Sequence, residues 1–181
     1  KSESLENYKE AASIYEKYIN MITLTYNKRL FTDVYSEFAP RAHILYIDSV
    51  IAWKGADSIA ELEKSYTDRL PIYRMDFNKA ALYGLAYIYT QKGLSQMRDA
   101  DSPAASVSIN EAMKSFKQAD TQIEWALFID DTFIEPYLLK TWIYQYIDTE
   151  RKNRGRSDNS SIAKFFPERL WEENIQILEK A

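Results

Sequence analysis

Cysteine is absent from the 181 residues. That lack removes a disulfide framework, thiolate metal sites and a cysteine nucleophile together. It also leans toward a periplasmic or otherwise extracytoplasmic setting. Histidine occurs once, at His43. No second histidine and no Gly-flanked serine accompany it, so it reads as a packed or exposed ring and no catalytic residue is assigned. Zinc lacks a ligand set, and the chain is read as a non-enzyme without cofactor or metal. Glycine is scarce at 4 residues and proline at 5, against averages of about 7% and 5%. The glycines are isolated, which excludes a phosphate-cradling loop. Sheets joined by tight turns need more of both residues, so the deficit favours helices. The longest charge-free apolar run, Ala80 to Tyr89, is ten residues, short of the roughly 18 that a spanning helix needs. No membrane span is expected. The net charge of −4 argues against nucleic acid, whose phosphates want a basic footprint.

What is present is apolar residues at helical spacing almost throughout. Residues 4–36 read as one long helix or two in line, with Leu5, Tyr8, Ala12, Tyr15, Ile19, Ile22, Tyr26 and Leu30 as the stripe, a break near Asn20 where Thr23 and Thr25 weaken the helix, and Pro40 ending the segment. A helix over 41–54 stops at Gly55, which tolerates positive φ. Capping boxes at Ser58-Ile-Ala-Glu61, Ser108-Ile-Asn-Glu111 and Thr132-Phe-Ile-Glu135 open three more helices. Asn78 caps a helix over 79–92 that ends at Gly93. Residues 94–107 and 152–161 read as loops, and a last helix starts near Pro167. The count is about seven helices.

Sliding the chain on itself reveals a register at 55 residues. Ile88 falls on Ile143, Tyr89 on Tyr144, Ser102 on Ser157, Ile123 on Leu178 and Ala126 on Ala181. The first helix of the unit reads Leu82-x₂-Leu85-Ala86-x₂-Tyr89, and the second Ala119-x₃-Ile123-x₂-Ala126-Leu127. The next unit reads Tyr137-x₂-Lys140-Thr141-x₂-Tyr144, then Asn174-x₃-Leu178-x₂-Ala181. Small residues at Ala86, Ala119 and Ala126 would let paired helices approach closely.

These residues resemble the tetratricopeptide repeat pattern. Lys140 and Asn174 depart from it, Asp48 and Lys64 sit where packing residues belong, and the 55-residue period exceeds the family's 34 by about 21 residues. The resemblance implies a right-handed α-solenoid of antiparallel helix pairs with long inter-helix insertions. The units would fall at about 1–38, 41–75, 79–131 and 134–181 of a single domain. Ala181 would lie inside a helix of its own repeat, so the expectation is a piece of a longer array.

In the repeat family the inner face of each first helix lines a concave groove that holds a segment of a partner protein. The matching residues are Tyr83, Tyr87, Thr90 and Gln91, then Leu138, Trp142, Gln145 and Tyr146. Either these rings stand open for a partner or a neighbouring helix covers them. Some family members grip a terminal carboxylate with Lys and Asn from this face; Tyr83 and Tyr87 occupy those places, so that specificity is not expected. An alternative is likeness to the tetratricopeptide-like lipoproteins of bacterial solute uptake, with a lipid or small hydrophobic ligand in an aromatic tunnel. Asp99, Asp101, Asp130 and Asp131 lack the Gly and closing Glu of a calcium loop. The basic run Arg151, Lys152, Arg154, Arg156 is offset by Asp148, Glu150 and Asp158, and reads as a solvated loop.

Overall fold

In the computed structural model, residues 2–26, 34–69, 75–102, 108–154 and 156–166 are described, and among them every regular element is an α-helix. The elements are α1 (Ser2–Tyr26), α2 (Val34–Lys54), α3 (Ser58–Arg69), α4 (Met75–Ala100), α5 (Ile109–Ile129), α6 (Ile134–Asn153) and α7 (Arg156–Phe165). The protein is all-α. The chain divides into two compact units, Lys1–Ile88 and Tyr89–Ala181.

Helix ends follow local chemistry, with several departures from the pattern. Gly55 takes φ +84° beyond the end of α2 and donates its N–H to the Ile51 carbonyl at 2.8 Å, the terminal arrangement that only glycine adopts without strain. At α5 the Glu111 carboxylate accepts from the Ser108 N–H at 3.2 Å, as a capping box requires. The box at Thr132 does not form. Asp130 Oδ1 instead accepts from the Thr132 N–H and hydroxyl, at 3.0 and 2.6 Å, and α6 begins at Ile134. Ser58 lies within α3, its hydroxyl donating to the Gly55 carbonyl at 2.7 Å.

Four expected boundaries are corrected. No break occurs at Asn20, since α1 runs on to Tyr26. Pro40 ends nothing and sits inside α2, although it brings no N–H to the ladder and its ring crowds the carbonyl four residues back. Gly93 and residues 94–100 continue α4, and part of the expected polar loop at 152–161 is α7. Burial of Pro40 and Gly93 among neighbouring helices offsets local penalties of about 3 kcal/mol for proline and about 1 kcal/mol for glycine. Leu30, Pro71, the helix from Pro167, and the repeat positions Asn174, Leu178 and Ala181 lie outside the described residues.

In the first unit α1 packs along α2 and α2 on α3. Its core holds Ile47, Leu62, Ala81, Leu85, Ala86 and Ile88, each fully buried large aliphatic side chain contributing about 1.5–3 kcal/mol. Gly84 lies where a Cβ would stand 2.6 Å from Tyr66 Cε1 and 3.3 Å from His43 Cβ. α4 can therefore approach α2 and α3 closely. His43 is buried, and its Nδ1 lies 2.7 Å from the Tyr66 hydroxyl, the rings meeting edge to face. With the ring proton on Nε2, Tyr66 donates to Nδ1.

In the second unit α5 contacts both α6 and α7. Phe116, Ile123, Ile143, Ile147, Ile162 and Phe166 form its centre. The Phe116 ring rests on Gly93, where a Cβ would meet three ring carbons at 2.9 to 3.0 Å. Three pairs of register partners share their environment: Leu82 and Tyr137, Ile88 and Ile143, Tyr89 and Tyr144 are all buried. Lys140, at the position of Leu85, is buried as well. Its ammonium pairs with Glu124 and lies 3.4 Å from Asp120, whose carboxylate is 3% exposed and also accepts from Lys117 at 2.6 Å and Tyr144 at 3.1 Å. A buried carboxylate this well supplied with donors is stable only as a set, because removing one partner leaves a charge uncompensated.

Two predictions follow from the packing. Gly84→Ala and Gly93→Ala should each destabilise the chain by about 1–3 kcal/mol in urea unfolding, because the added methyl displaces a packed ring. The second concerns His43, whose pKa is lowered from 6.5 to about 3 by burial and, next, by the charge of Arg69. The unfolded chain then binds the proton first as pH falls, so this contribution is complete above the unfolded value and is lost from there down toward pH 3. Between pH 7.5 and 5, stability should drop by about 2 kcal/mol, from the roughly 1.4 kcal/mol per pH unit that one proton carries. His43→Gln should flatten that slope.

Candidate functional site

The expected partner-binding residues fall in the middle turns of α4 and α6, and burial sorts them. On α6, Leu138 is 55% exposed and Trp142 43%. Gln145 is exposed and Tyr146 half-buried. The spacing of four places Leu138, Trp142 and Tyr146 one above the other. Their buried helix-mates Tyr137, Ile143, Tyr144 and Ile147 occupy the opposite side of α6. Trp142 and Tyr146 stack with centroids 5.6 Å apart and planes within 10°, and Tyr146 also leans on Phe116 at 5.6 Å. Phe116 in turn rests on Gly93, so the exposed ladder is braced from the core.

Burial, and then the charge of Glu150, raise the Tyr146 pKa above the ordinary tyrosine value. Like any tyrosine at neutral pH it presents an O–H donor, here beside the Trp142 and Phe116 rings. Trp142 and Tyr146 supply large rigid area at small rotamer cost, the property that makes such residues dominate interfaces.

On α4, Tyr83, Tyr87 and Gln91 are half-buried, whereas Thr90 is 1% exposed. Thr90 offers no surface to a partner. Helical spacing places it near the core side of α4 with Ala86, a position that the register with the exposed Gln145 does not reveal. The Tyr87 hydroxyl donates to Asp48 Oδ1 at 2.8 Å. That bond links Tyr87 of α4 to Asp48 of α2.

Polar clusters that stood out in the sequence have structural occupations. Asp101 pairs with Arg154 at 2.8 Å, and Arg154 also bonds Glu150 at 2.9 Å. Lys152 pairs with Asp148 at 2.6 Å, and Arg151 donates to the Phe166 carbonyl at 3.3 Å. Asp130 caps the α5–α6 turn. Arg156 and Asp158 side chains lie outside the described residues.

Two clefts in the first unit were not visible in the sequence. One, of about 410 Å3, lies between α1 and α2 and is lined by Ile14, Tyr15, Tyr18, Phe38, Ala42 and Leu45, with Arg41 as its one charged lining residue. The other, of about 490 Å3, involves α1, α2 and α3 and mixes aromatic with ion-paired side chains. Hydrophobic periodicity names residues that face another element but does not say how completely the elements close, so such clefts leave no signature in it. No helix among the described residues is long and apolar enough to cross a membrane. Comparison of the chain with protein-family models, with curated proteins and with solved structures gives no match.

Proposed function

We propose that the protein is a tetratricopeptide-like helical repeat that binds an extended or helical segment of a partner protein and performs no catalysis. The observation that carries this reading is the braced ladder Leu138, Trp142, Tyr146 on α6. Three large side chains at helical spacing stand on the solvent side of a helix whose other side is well buried. Tyr83 and Tyr87 occupy the corresponding positions of α4. A soluble surface normally scatters large apolar residues singly, and a row of them marks a contact site.

The repeat architecture draws support from the order of contacts within each unit. His43 meets Tyr66 while Lys54 meets Glu61, so α2 and α3 run antiparallel. Glu124 meets Lys140 while Asp120 meets Tyr144, so α5 and α6 do the same. Glu16 with Arg69, against Lys9 and Glu61 around one cleft, makes α1 and α3 parallel. Alternating antiparallel neighbours with parallel next-neighbours is what stacked helix pairs produce, and a right-handed solenoid is the proposed continuation.

A second reading, an extracytoplasmic protein that holds a lipid or small hydrophobic ligand, is favoured by the apolar cleft between α1 and α2. Ile14 and Phe38 are exposed at its lips, and Arg41 stands ready for an anionic head group.

For the first reading, peptides selected from a random library on the immobilised chain should lose affinity at least tenfold, about 1.4 kcal/mol or more, on Trp142→Ala. Circular dichroism and thermal unfolding should stay unchanged, since the ring is largely outside the core. Equal loss of folding and binding would make Trp142 a packing residue and remove the proposal. The second reading is checked by native mass spectrometry of the purified chain. A co-purifying amphiphile that Arg41→Glu releases supports it, and repeated absence of bound mass defeats it.

A further inference from the structure

The turn between α5 and α6 carries open apolar surface and charge of one sign together. On its α5 side Phe128 is 77% exposed, and Trp125, exposed as well, meets it edge to face with centroids 5.9 Å apart. On its α6 side Ile134 is exposed and stands one turn before Leu138, the first residue of the ladder. Exposed large apolar side chains normally stand singly; four of them bracketing residues 130–133 mark a contact site.

The charge around them is negative. From Gln118 to Leu139 the chain has Asp120, Glu124, Asp130, Asp131 and Glu135 and no lysine or arginine. Lys117 and Lys140, which bound this stretch, are already engaged by Asp120 and Glu124. Asp130 is occupied in capping the turn. Among the described residues no cation forms an ion pair with Asp131 or Glu135.

That combination selects the occupant. A second copy of this chain docked on the same patch would set like carboxylates against one another. An anionic lipid surface would meet the same repulsion. A segment with apolar side chains on one face and lysine or arginine beside them covers the rings and supplies the missing positive charge.

We infer, building on the partner-binding reading above, that the partner of this surface is a cationic amphipathic segment. Its apolar side chains lie on Trp125, Phe128, Ile134 and Leu138, and its lysines or arginines beside Asp131 and Glu135. The apolar contacts supply most of the affinity, because exposed ion pairs contribute little. The carboxylates decide which segments are accepted and how fast they arrive. Binding therefore weakens as salt is added.

The test titrates the ¹⁵N-labelled full chain with a short helical peptide carrying Leu on one face and Lys on the other. Counterparts with Gln or Glu in place of Lys are run beside it. The Lys peptide should shift the amides of residues 124–138 saturably, the Gln peptide should bind about fivefold more weakly, and the Glu peptide should not bind. Phe128→Ser, and Ile134→Ser on the other helix, should each weaken the Lys peptide about tenfold or more. Asp131→Lys should weaken it about fivefold. All three side chains are exposed, so circular dichroism should report an unchanged fold. Asp57→Lys, an equal change of net charge at an exposed site in the first unit, should have little effect.

The inference is overturned if the Gln or Glu peptide binds as tightly as the Lys peptide, or if Asp57→Lys weakens binding as much as Asp131→Lys. It is equally overturned if the Lys peptide leaves those amides unmoved, or if phosphatidylglycerol vesicles shift them instead. Self-association of the chain that Phe128→Ser abolishes would assign the patch to a second copy and remove the inference too. Library-selected peptides that need Trp142 but carry no basic residue would leave the partner-binding reading standing and defeat this one, so the two fail separately.

Discussion

Each unit of this protein depends on an aromatic ring lying directly against a glycine in the middle of a helix. Tyr66 occupies the space over Gly84, and Phe116 the space over Gly93. Glycine inside a helix gives up about 1 kcal/mol relative to alanine, yet both sites retain it, because any side chain there would force the ring outward. The ring positions then set what surrounds them. Tyr66 places its hydroxyl against His43, and Phe116 supports Tyr146, which stacks on Trp142. A packing contact at the centre thus reaches the surface in two steps.

Alanine extends the same logic. Ala81, Ala86, Ala112, Ala119 and Ala126 are sealed from solvent, and each lets helices come near while large side chains on neighbouring turns fill the remaining volume. Close approach leaves no room for water, so polar groups caught inside must be satisfied by one another. Asp120, Lys140 and Tyr144 do this in the second unit, with Lys117 and Glu124 reaching in from the surface. His43 does it in the first by remaining neutral beside Tyr66. Lys140 is accommodated in a buried position because two carboxylates, Asp120 and Glu124, stand within its reach.

The candidate partner surface was partly readable. Leu138, Trp142, Gln145 and Tyr146 lie on the solvent side of α6, as their position opposite the buried stripe requires. Thr90 breaks the expectation: it is 1% exposed and lies one turn from the buried Ala86. The cleft lined by Trp53, Tyr46 and two ion pairs had no counterpart in the pattern at all. Its residues come from three helices and are up to 60 positions apart (Lys9 to Arg69); nothing local links them.

Spacing of apolar residues, scarcity of glycine and proline, and the Ser108 box were enough to decide that the chain is helical and which side of α5 and α6 turns inward. These are local properties, written every three or four residues. Where helices stop was decided elsewhere. Pro40 and Gly93 read locally as terminators and lie inside helices, because burial against neighbouring helices outweighs a missing hydrogen bond or a flexible backbone. The meaning of Gly84 and Gly93 as ring seats, the pairing of Asp120 with two lysines, and the closure of ion pairs around a cleft all join residues distant along the chain. Only the folded arrangement of helices brings such residues within contact distance.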